Sequence, residues 1–510
     1  MPDATAMAVR DGVVAWIGRD DVGRAQFPDA EVTDLAGGFV APAFVDCHFH
    51  TTATGLALTG LDLRVAQSLR DCLQMVADYA RDQPDGVIWG HGWDETAWPE
   101  GTAPTTADVD AVVGDRPAYL TRVDVHSAVA STALRRRAGL LTADPQSPAS
   151  ADDHHRARLA AREALTATQR DHARRAALDA AAAAGIAVVH ECAGPDISGL
   201  DDWQELRSLD HGVEVVGYWG EPVTSADQAR DLLRSTQAHG LAGDLFVDGA
   251  LGSRTAWLHE PYADAPAVTG NSYLDVDAVT AHLGACTEAG ITAGFHVIGD
   301  AAVTTVVTAV QRVVDRFGSV AVARCGHRLE HLEMVTEEQA AQLGSWGVIA
   351  SVQPNFDALW GGDEGMYARR LGPARARGLN PFAQLASHGV PLALGSDSPV
   401  TDLNPWTGIR AATTHRTPGS AISARAAFAA ATRGAWRAGG VRDGVSGTLV
   451  PGAPATYAIW DADEFDVTAP ADAVQRWSTD PRSRVPVLPA LDGVLPRCRQ
   501  TVHRGDVLHG

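Results

Sequence analysis

Asp46-Cys47-His48-Phe49-His50 closes an apolar run that begins at Phe39 and reaches Val45. Side chains alternate along a strand, so the two histidines face the same way and can grip one cation, while Cys47 turns to the opposite face. Alone, His-x-His is a weak signal in a chain with 19 histidines, where a pair of partly exposed surface imidazoles is the commoner meaning. What decides it is the company the rest of the chain supplies.

Downstream, apolar strand-like runs alternate with helical stretches, the pattern of βα units on a parallel sheet. Eight candidate strands cover 39–50, 186–191, 213–219, 244–249, 292–298, 325–331, 348–353 and 391–397. His190, Trp219 and Asp248 follow one another at steps of 29 residues, close to the ~30 residues of one unit in a (β/α)8 barrel. The fold class expected is therefore α/β, a TIM-like barrel over 41–444. An excess between the first two strands marks an insertion at about 51–150, with strands at 86–90 and 117–120. An insertion there overhangs the barrel mouth, where binding loops belong. The run from 155 to 184 is rich in Ala and Arg and reads as helix. Alternating segments around Asp11-Gly12 read as a hairpin, and similar texture returns after residue 445. Residues 1–40 and 445–510 are thus expected to form one small composite β-sandwich domain.

Three more polar groups fall at predicted strand ends: His296 in Gly294-Phe295-His296-Val297, His331 in His327-Arg328-Leu329-Glu330-His331, and Asp397 in Gly395-Ser396-Asp397-Ser398-Pro399. His296 to His331 is one unit of 35 residues and His331 to Asp397 two units, 66 residues. Since strand ends converge on one mouth, His48, His50, His296, His331 and Asp397 are expected to meet there. Imidazoles with one carboxylate suit zinc or a neighbouring divalent metal. Asp248 ends the fourth strand.

Composition excludes other classes. The 41 basic and 63 acidic residues give a net charge of −22, which repels nucleic acid and anionic membranes. No stretch approaches the ~20 apolar residues of a membrane span, and Met1-Pro2-Asp3-Ala4 lacks a signal-peptide n-region; a cytoplasmic location is expected. The six cysteines are scattered without CxxC spacing, as reduced thiols. There is no lysine anywhere. Schiff-base catalysis, pyridoxal phosphate chemistry and a Walker A lysine are excluded.

Read together, the chain resembles the metal-dependent amidohydrolase superfamily, specifically the amidohydrolase family 3 branch that includes N-substituted formamide deformylases. The resemblance is carried by Asp46 to His50, Trp89-Gly90-His91-Gly92-Trp93-Asp94, Val125-His126-Ser127, and Asp248-Gly249-Ala250-Leu251-Gly252-Ser253-Arg254. It continues through His296 to Asp300, His327 to His331, Gln353-Pro354, Gly395 to Pro399 and Gly447 to Gly452. It implies a (β/α)8 barrel with a composite β sandwich, and hydrolysis of carbon–nitrogen bonds other than peptide bonds in a small molecule.

One departure matters. Many members carry a carboxylated lysine on strand four that bridges two metals; the matching position here is Asp244. An aspartate carboxylate ends roughly 5 Å short of a lysine carbamate at about 1.5 Å per bond, so Asp244 is not expected to substitute, and Glu191 reads better as a capping carboxylate than as a ligand. The expectation is one divalent cation per chain, held by His48, His50, His296, His331 and Asp397. Asp397 moves the proton from water to the leaving nitrogen, and His331 either binds the metal or donates to the oxyanion. Trp93 and His126 either line the substrate pocket or pack the insertion, and Arg254 either holds a substrate carboxylate or pins its own loop. His327, Trp406 and Trp436 read as structural. A mononuclear cyclic amidine deaminase and a catalytically inactive metal-binding paralogue are the alternatives, and a homodimer is the default assembly.

Overall fold

The computed structural model describes residues 4–83, 86–462, 464–466 and 484–510; Met1-Pro2-Asp3 and, within the C-terminal β region foreseen above, 463 and 467–483 lie outside the described residues. The strand Phe44–Phe49 is buried at all six positions, as a parallel strand covered on both faces must be. It pairs in parallel with Ile186–Ala193, which pairs in parallel with Glu214–Trp219. A second parallel sheet runs in the order Gly294–Val297, Arg328–His331, Ile349–Val352, Leu392–Leu394. Isolated parallel bridges extend both: Tyr218 with Gly240, Leu241 with Ala293, Phe246 with His296, and Phe49 with Ser398.

The Ala-rich run forms two helices, Ala151–Glu163 and Ala167–Ala183, the second opened by a capping box between Thr166 and Gln169. Helix Thr51–Thr59 crosses the second so closely that a β-carbon at Gly55 would stand 1.7 Å from the Ala173 carbonyl oxygen. Small side chains on both helices permit that approach, which explains the alanine content.

Three expectations change. The single strand foreseen over 39–50 is two: Phe39–Pro42 joins the terminal sheet and Phe44–Phe49 the central one. Pro42 has no N–H to continue a ladder, so the chain changes sheet there. The fourth strand, 244–249, is not a regular strand; only Phe246 within it makes a bridge. Gly243, at φ +76° and pressed against Cys192, breaks the extended backbone just before Asp244. The insertion holds a five-stranded sheet, Leu61–Asp62, Ile88–Trp93, Ala118–Arg122, Ser127–Ala130 and Ala149–Ser150, and not merely two strands. Its additional strands are two to four residues long, too short to show a period in sequence.

Both termini share one β region. A four-stranded antiparallel sheet runs Asp506–His509, Arg497–His503, Tyr457–Asp461, Phe39–Pro42. The hairpin Ala6–Arg10 and Val13–Gly18 turns through Asp11 and Gly12, both at positive φ, as a two-residue turn of this kind requires, and it bonds to Ala453 and Gly452. Edge-on rings join this region to the centre: Phe44 lies 5.7 Å from Trp460 and 5.2 Å from Trp406, contacts worth about 0.5–1.5 kcal/mol each. Trp406 and Trp436 are buried core residues. Among the described residues no helix is long and apolar enough to cross a membrane.

Candidate metal centre

The C-terminal end of Phe44–Phe49 is stitched to the turn after Leu392–Leu394. Asp46 Oδ1 accepts from the Ser396 N–H at 2.9 Å, and the Asp397 N–H donates to the His48 carbonyl at 2.9 Å. Gly395 makes this possible, since a β-carbon there would stand 2.5 Å from the His48 nitrogen. Asp397 at φ +54° and His331 at φ +69° both sit in the left-handed region, a costly conformation that concentrates at functional sites. At His331 it breaks strand alternation, so this ring turns into the cluster while His327 stays outside, bonded to Ala293 N–H and the Thr287 hydroxyl.

His48 Nε2 lies 3.4 Å from Asp244 Oδ1 and from Asp397 Oδ1; His50 Nε2 lies 3.2 Å from Asp244 Oδ2 and from Asp397 Oδ1. The His331 ring is 4.8 Å from that of His48 and 4.4 Å from that of His296. Four overlapping sets among the described residues have donor atoms within 4.8 Å of one another: His48, His331 and Asp397; His48, His50 and Asp244; Asp244, His296 and His331; and, on the other side of the His48 ring, His48, Cys192 and Glu330. The structure therefore brings all five sequence-predicted residues together and adds Asp244. Its carboxylate reaches the cluster from a backbone packed directly on Gly220, where a β-carbon would lie 2.8 Å from the Asp244 carbonyl. The shortfall expected of Asp244 holds for a regular strand; the chain is irregular here, with Gly243 at φ +76°.

The donor set fits a divalent cation. His48 Nε2, both His296 nitrogens and Asp244 Oδ1 are buried without a hydrogen-bond partner, a costly state for polar atoms unless a ligand completes them. Burial pulls the His50 imidazolium down, but Asp244 and Asp397 outweigh it and leave its pKa raised to about 10. Burial raises the Asp244 carboxyl, yet His48 and His50 opposite hold it well below the usual carboxylate range. Two carboxylates here demand positive charge, from protons or from a cation. His331 is kept neutral by burial, with His296 and His48 adding to the effect.

Buried groups behind the ligands fix their tautomers. Glu330 Oε2 meets His48 Nδ1 at 2.8 Å, leaving Nε2 as the lone pair facing the cluster. Glu330 is gripped by the fully buried Arg328, which also donates to the Cys47 carbonyl and the Ser351 hydroxyl and lies 4.4 Å over the Tyr218 ring. Gln353 Oε1 meets His331 Nδ1 at 2.8 Å, so His331 also presents Nε2 as a lone pair, which favours a ligand over an oxyanion donor. Sequence reasoning assigned no role to Glu330, Arg328 or Gln353. A charged pair at alternate positions of a fully buried strand, Arg328 and Glu330, was the signal available.

A cavity of about 50 Å3 opens beside the cluster, lined by His50, Asp244, His296, His331 and Asp397 on one side and by Trp89, His126, Arg158 and Arg162 on the other. His126 faces it, its ring 5.0 Å from that of His296. Trp93 does not: it is buried inside the insertion, its indole N–H donating to the Leu120 carbonyl, because the sheet there needs a large core side chain. Arg254 does not either, being held bidentately by Asp264 ten residues on, within its own loop. Asp248 clamps the turn after His296 through the Ile298, Gly299 and Trp257 N–H groups. Glu191 accepts from the Thr51 N–H and caps the helix that follows His50. The insertion is pinned over the cluster by His91, which meets the Pro399 carbonyl at 2.8 Å.

A buried histidine and carboxylate cluster at the ends of parallel strands, with carboxylate and amide groups orienting its imidazoles, defines a metal-dependent hydrolase centre. The chain belongs to the amidohydrolase family, whose model matches residues 31–509. It is 28% identical to Protein LONG AFTER FAR-RED 3 of Arabidopsis thaliana over 92% of this chain and 87% of that one. It is also 28% identical to the N-substituted formamide deformylase of Arthrobacter pascens, over 28% of this chain and 27% of that one. Among solved structures, an uncharacterized metal-dependent hydrolase from Pyrococcus furiosus aligns with a TM-score of 0.69 at 27% identity, covering 90% of this chain and 95% of that one.

Proposed function

We propose that this protein hydrolyses a non-peptide carbon–nitrogen bond, an amide or formamide, of a small molecule. The observation that carries the reading is the cluster of unpartnered Nε2 and carboxylate oxygen atoms around His48, His296 and Asp244, set in a cavity too small for a folded polypeptide. The formamide deformylase relative supports the substrate class. Support for a closed barrel over 41–444 comes from the parallel bridges linking its two sheets, and the pairing of both termini supports a composite β-sandwich domain of 1–40 and 445–510.

His48, His50, Asp244 and Asp397 would hold one divalent cation, zinc by ligand type. Asp244 also belongs to the set with His296 and His331, which supports room for a second cation beside the single one expected from the sequence. Bound metal supplies Lewis-acid polarisation and lowers the pKa of water. Asp397 takes the proton of the attacking water. The water oxygen bonds to the carbonyl carbon, the carbon–nitrogen bond breaks, and Asp397 returns that proton to the leaving nitrogen, giving acid and amine. His126, facing the cavity, donates to the carbonyl oxygen as charge develops on it. Assaying zinc-loaded protein against N-formyl and N-acyl amines and cyclic amidines tests this. Amine and acid in equal amounts support it; ammonia from amidines alone contradicts it.

A further inference from the structure

Six arginines among the described residues are buried: Arg122, Arg135, Arg158, Arg174, Arg328 and Arg370. Five are spoken for. Arg122 meets Asp94, Glu95 and Asp124; Arg174 meets Asp202 and Glu205; Arg328 meets Glu330; Arg370 meets Glu95 and Asp264; and Arg135 donates to the Leu140 and Ala143 carbonyls. Arg158, 8% exposed, makes no hydrogen bond or ion pair among the described residues. Arg162, one turn further along helix Ala151–Glu163, shares that face; the residue is half-buried, and its Nε is buried and unpartnered. Both line the cavity beside the metal centre.

An unpaired guanidinium buried in a protein is costly, and two of like charge one helical turn apart compound it. Asp202 and Glu191 lie close enough to act on Arg162 through space, but no neighbouring acceptor hydrogen-bonds either arginine. Asp202 gives its oxygens to Arg174 and Thr52, Asp124 gives its oxygens to Arg122 and Ser253, and the Tyr119 hydroxyl is bonded to His154. A guanidinium offers a rigid fork matched to a carboxylate. We propose that Arg158 and Arg162 bind a carboxylate carried by the substrate, so that the molecule hydrolysed is a small N-acyl or N-formyl amino acid or a similar amide acid. This rests on the reading of the site as a carbon–nitrogen hydrolase and adds the anionic group to it. The carboxylate supplies the direct acceptor the two arginines lack and sets the scissile amide toward Asp397 and His126 across the cavity.

Calorimetric titration of the zinc-loaded protein with N-acetylglycine and with its neutral isostere N-acetylglycinamide tests the proposal without depending on turnover. Wild-type protein binds the acid at least ~10-fold more tightly than the amide, the scale of a charge-assisted hydrogen bond, and Arg158→Met and Arg162→Met each reduce that preference while metal content stays constant. Arg158→Lys, which keeps the charge but not the fork, retains part of it. No preference in wild type overturns the proposal, and so does a preference that survives both Met variants, which would put the carboxylate on the metal. Failure of the general reading is seen separately, as a lack of hydrolysis of any amide, neutral or acidic. Should Arg158→Met not fold, the Arg162 and Arg158→Lys variants still decide the question.

Discussion

The Glu330 carboxylate and the His48 imidazole meet at 2.8 Å with neither side chain exposed to solvent. Arg328 holds the other side of that carboxylate, and together with His48 it keeps Glu330 ionised against its burial. The contact sets which nitrogen of His48 faces the cluster. Glu330→Gln should therefore lower metal affinity by about 10- to 100-fold, the usual cost of losing such a supporting carboxylate, read by chelator competition. Unchanged affinity would mean that the Glu330 contact is only structural.

Removing Arg328 has a different outcome. Arg328→Met leaves Glu330 as an uncompensated buried charge, which costs about 3–5 kcal/mol. A large fall in the denaturant midpoint is expected, and Arg328→Met with Glu330→Leu should recover much of it.

Gly220 is predicted to control Asp244. A β-carbon there would stand 2.8 Å from backbone atoms of Asp244 and Leu245, so Gly220→Ala must push that segment outward. A stability loss of about 1–3 kcal/mol should be accompanied by reduced metal content. Full metal content would show that the position of Asp244 does not matter.

Asp397→Asn removes the proposed proton carrier while keeping the shape of the side chain. The rate of amide hydrolysis should fall by about 10²- to 10⁴-fold in protein whose thermal unfolding is little changed.

The terminal β region should show its own pH dependence. Glu214 meets His503 at 3.1 Å and Arg504 at 3.0 Å, and the His503 contact first, outweighing burial with help from Arg504, holds its carboxyl below the ordinary value. A depressed folded-state pKa adds stability above the unfolded value, near 4.3, and that contribution disappears as pH falls through the folded value. Glu214→Gln should cost under about 1 kcal/mol at pH 7, as a partly exposed pair does, and nothing at pH 2. A difference that grows on acidification would contradict this.

The strand-end histidines could be read in sequence because βα units repeat at a regular interval and their strands are buried on both faces. The Asp11-Gly12 hairpin was legible because a two-residue turn needs those residue types. Asp244 was not, because its place depends on a backbone break at Gly243 and on the missing side chain of Gly220, two tertiary facts. His331 turns inward only through its positive φ, which no alternation pattern records. Trp93 and Arg254 lie in motifs that mark the family, yet their partners, the Leu120 carbonyl and Asp264, are set by how the insertion and the 250–270 loop fold. The arginines 158 and 162 look in sequence like any pair on a polar helix; only the structure shows that their face is the wall of a cavity.

Asp244, at the position where the family resemblance implies a lysine, is the cation ligand on which the proposed site depends. Its most direct test is the metal content of dialysed wild-type protein and of Asp244→Ala, measured by elemental analysis beside a check of folding. Wild type should retain divalent metal, up to two per chain, and folded Asp244→Ala should lose most of it. Metal retained in full by Asp244→Ala, or no metal held by wild type, would contradict the account.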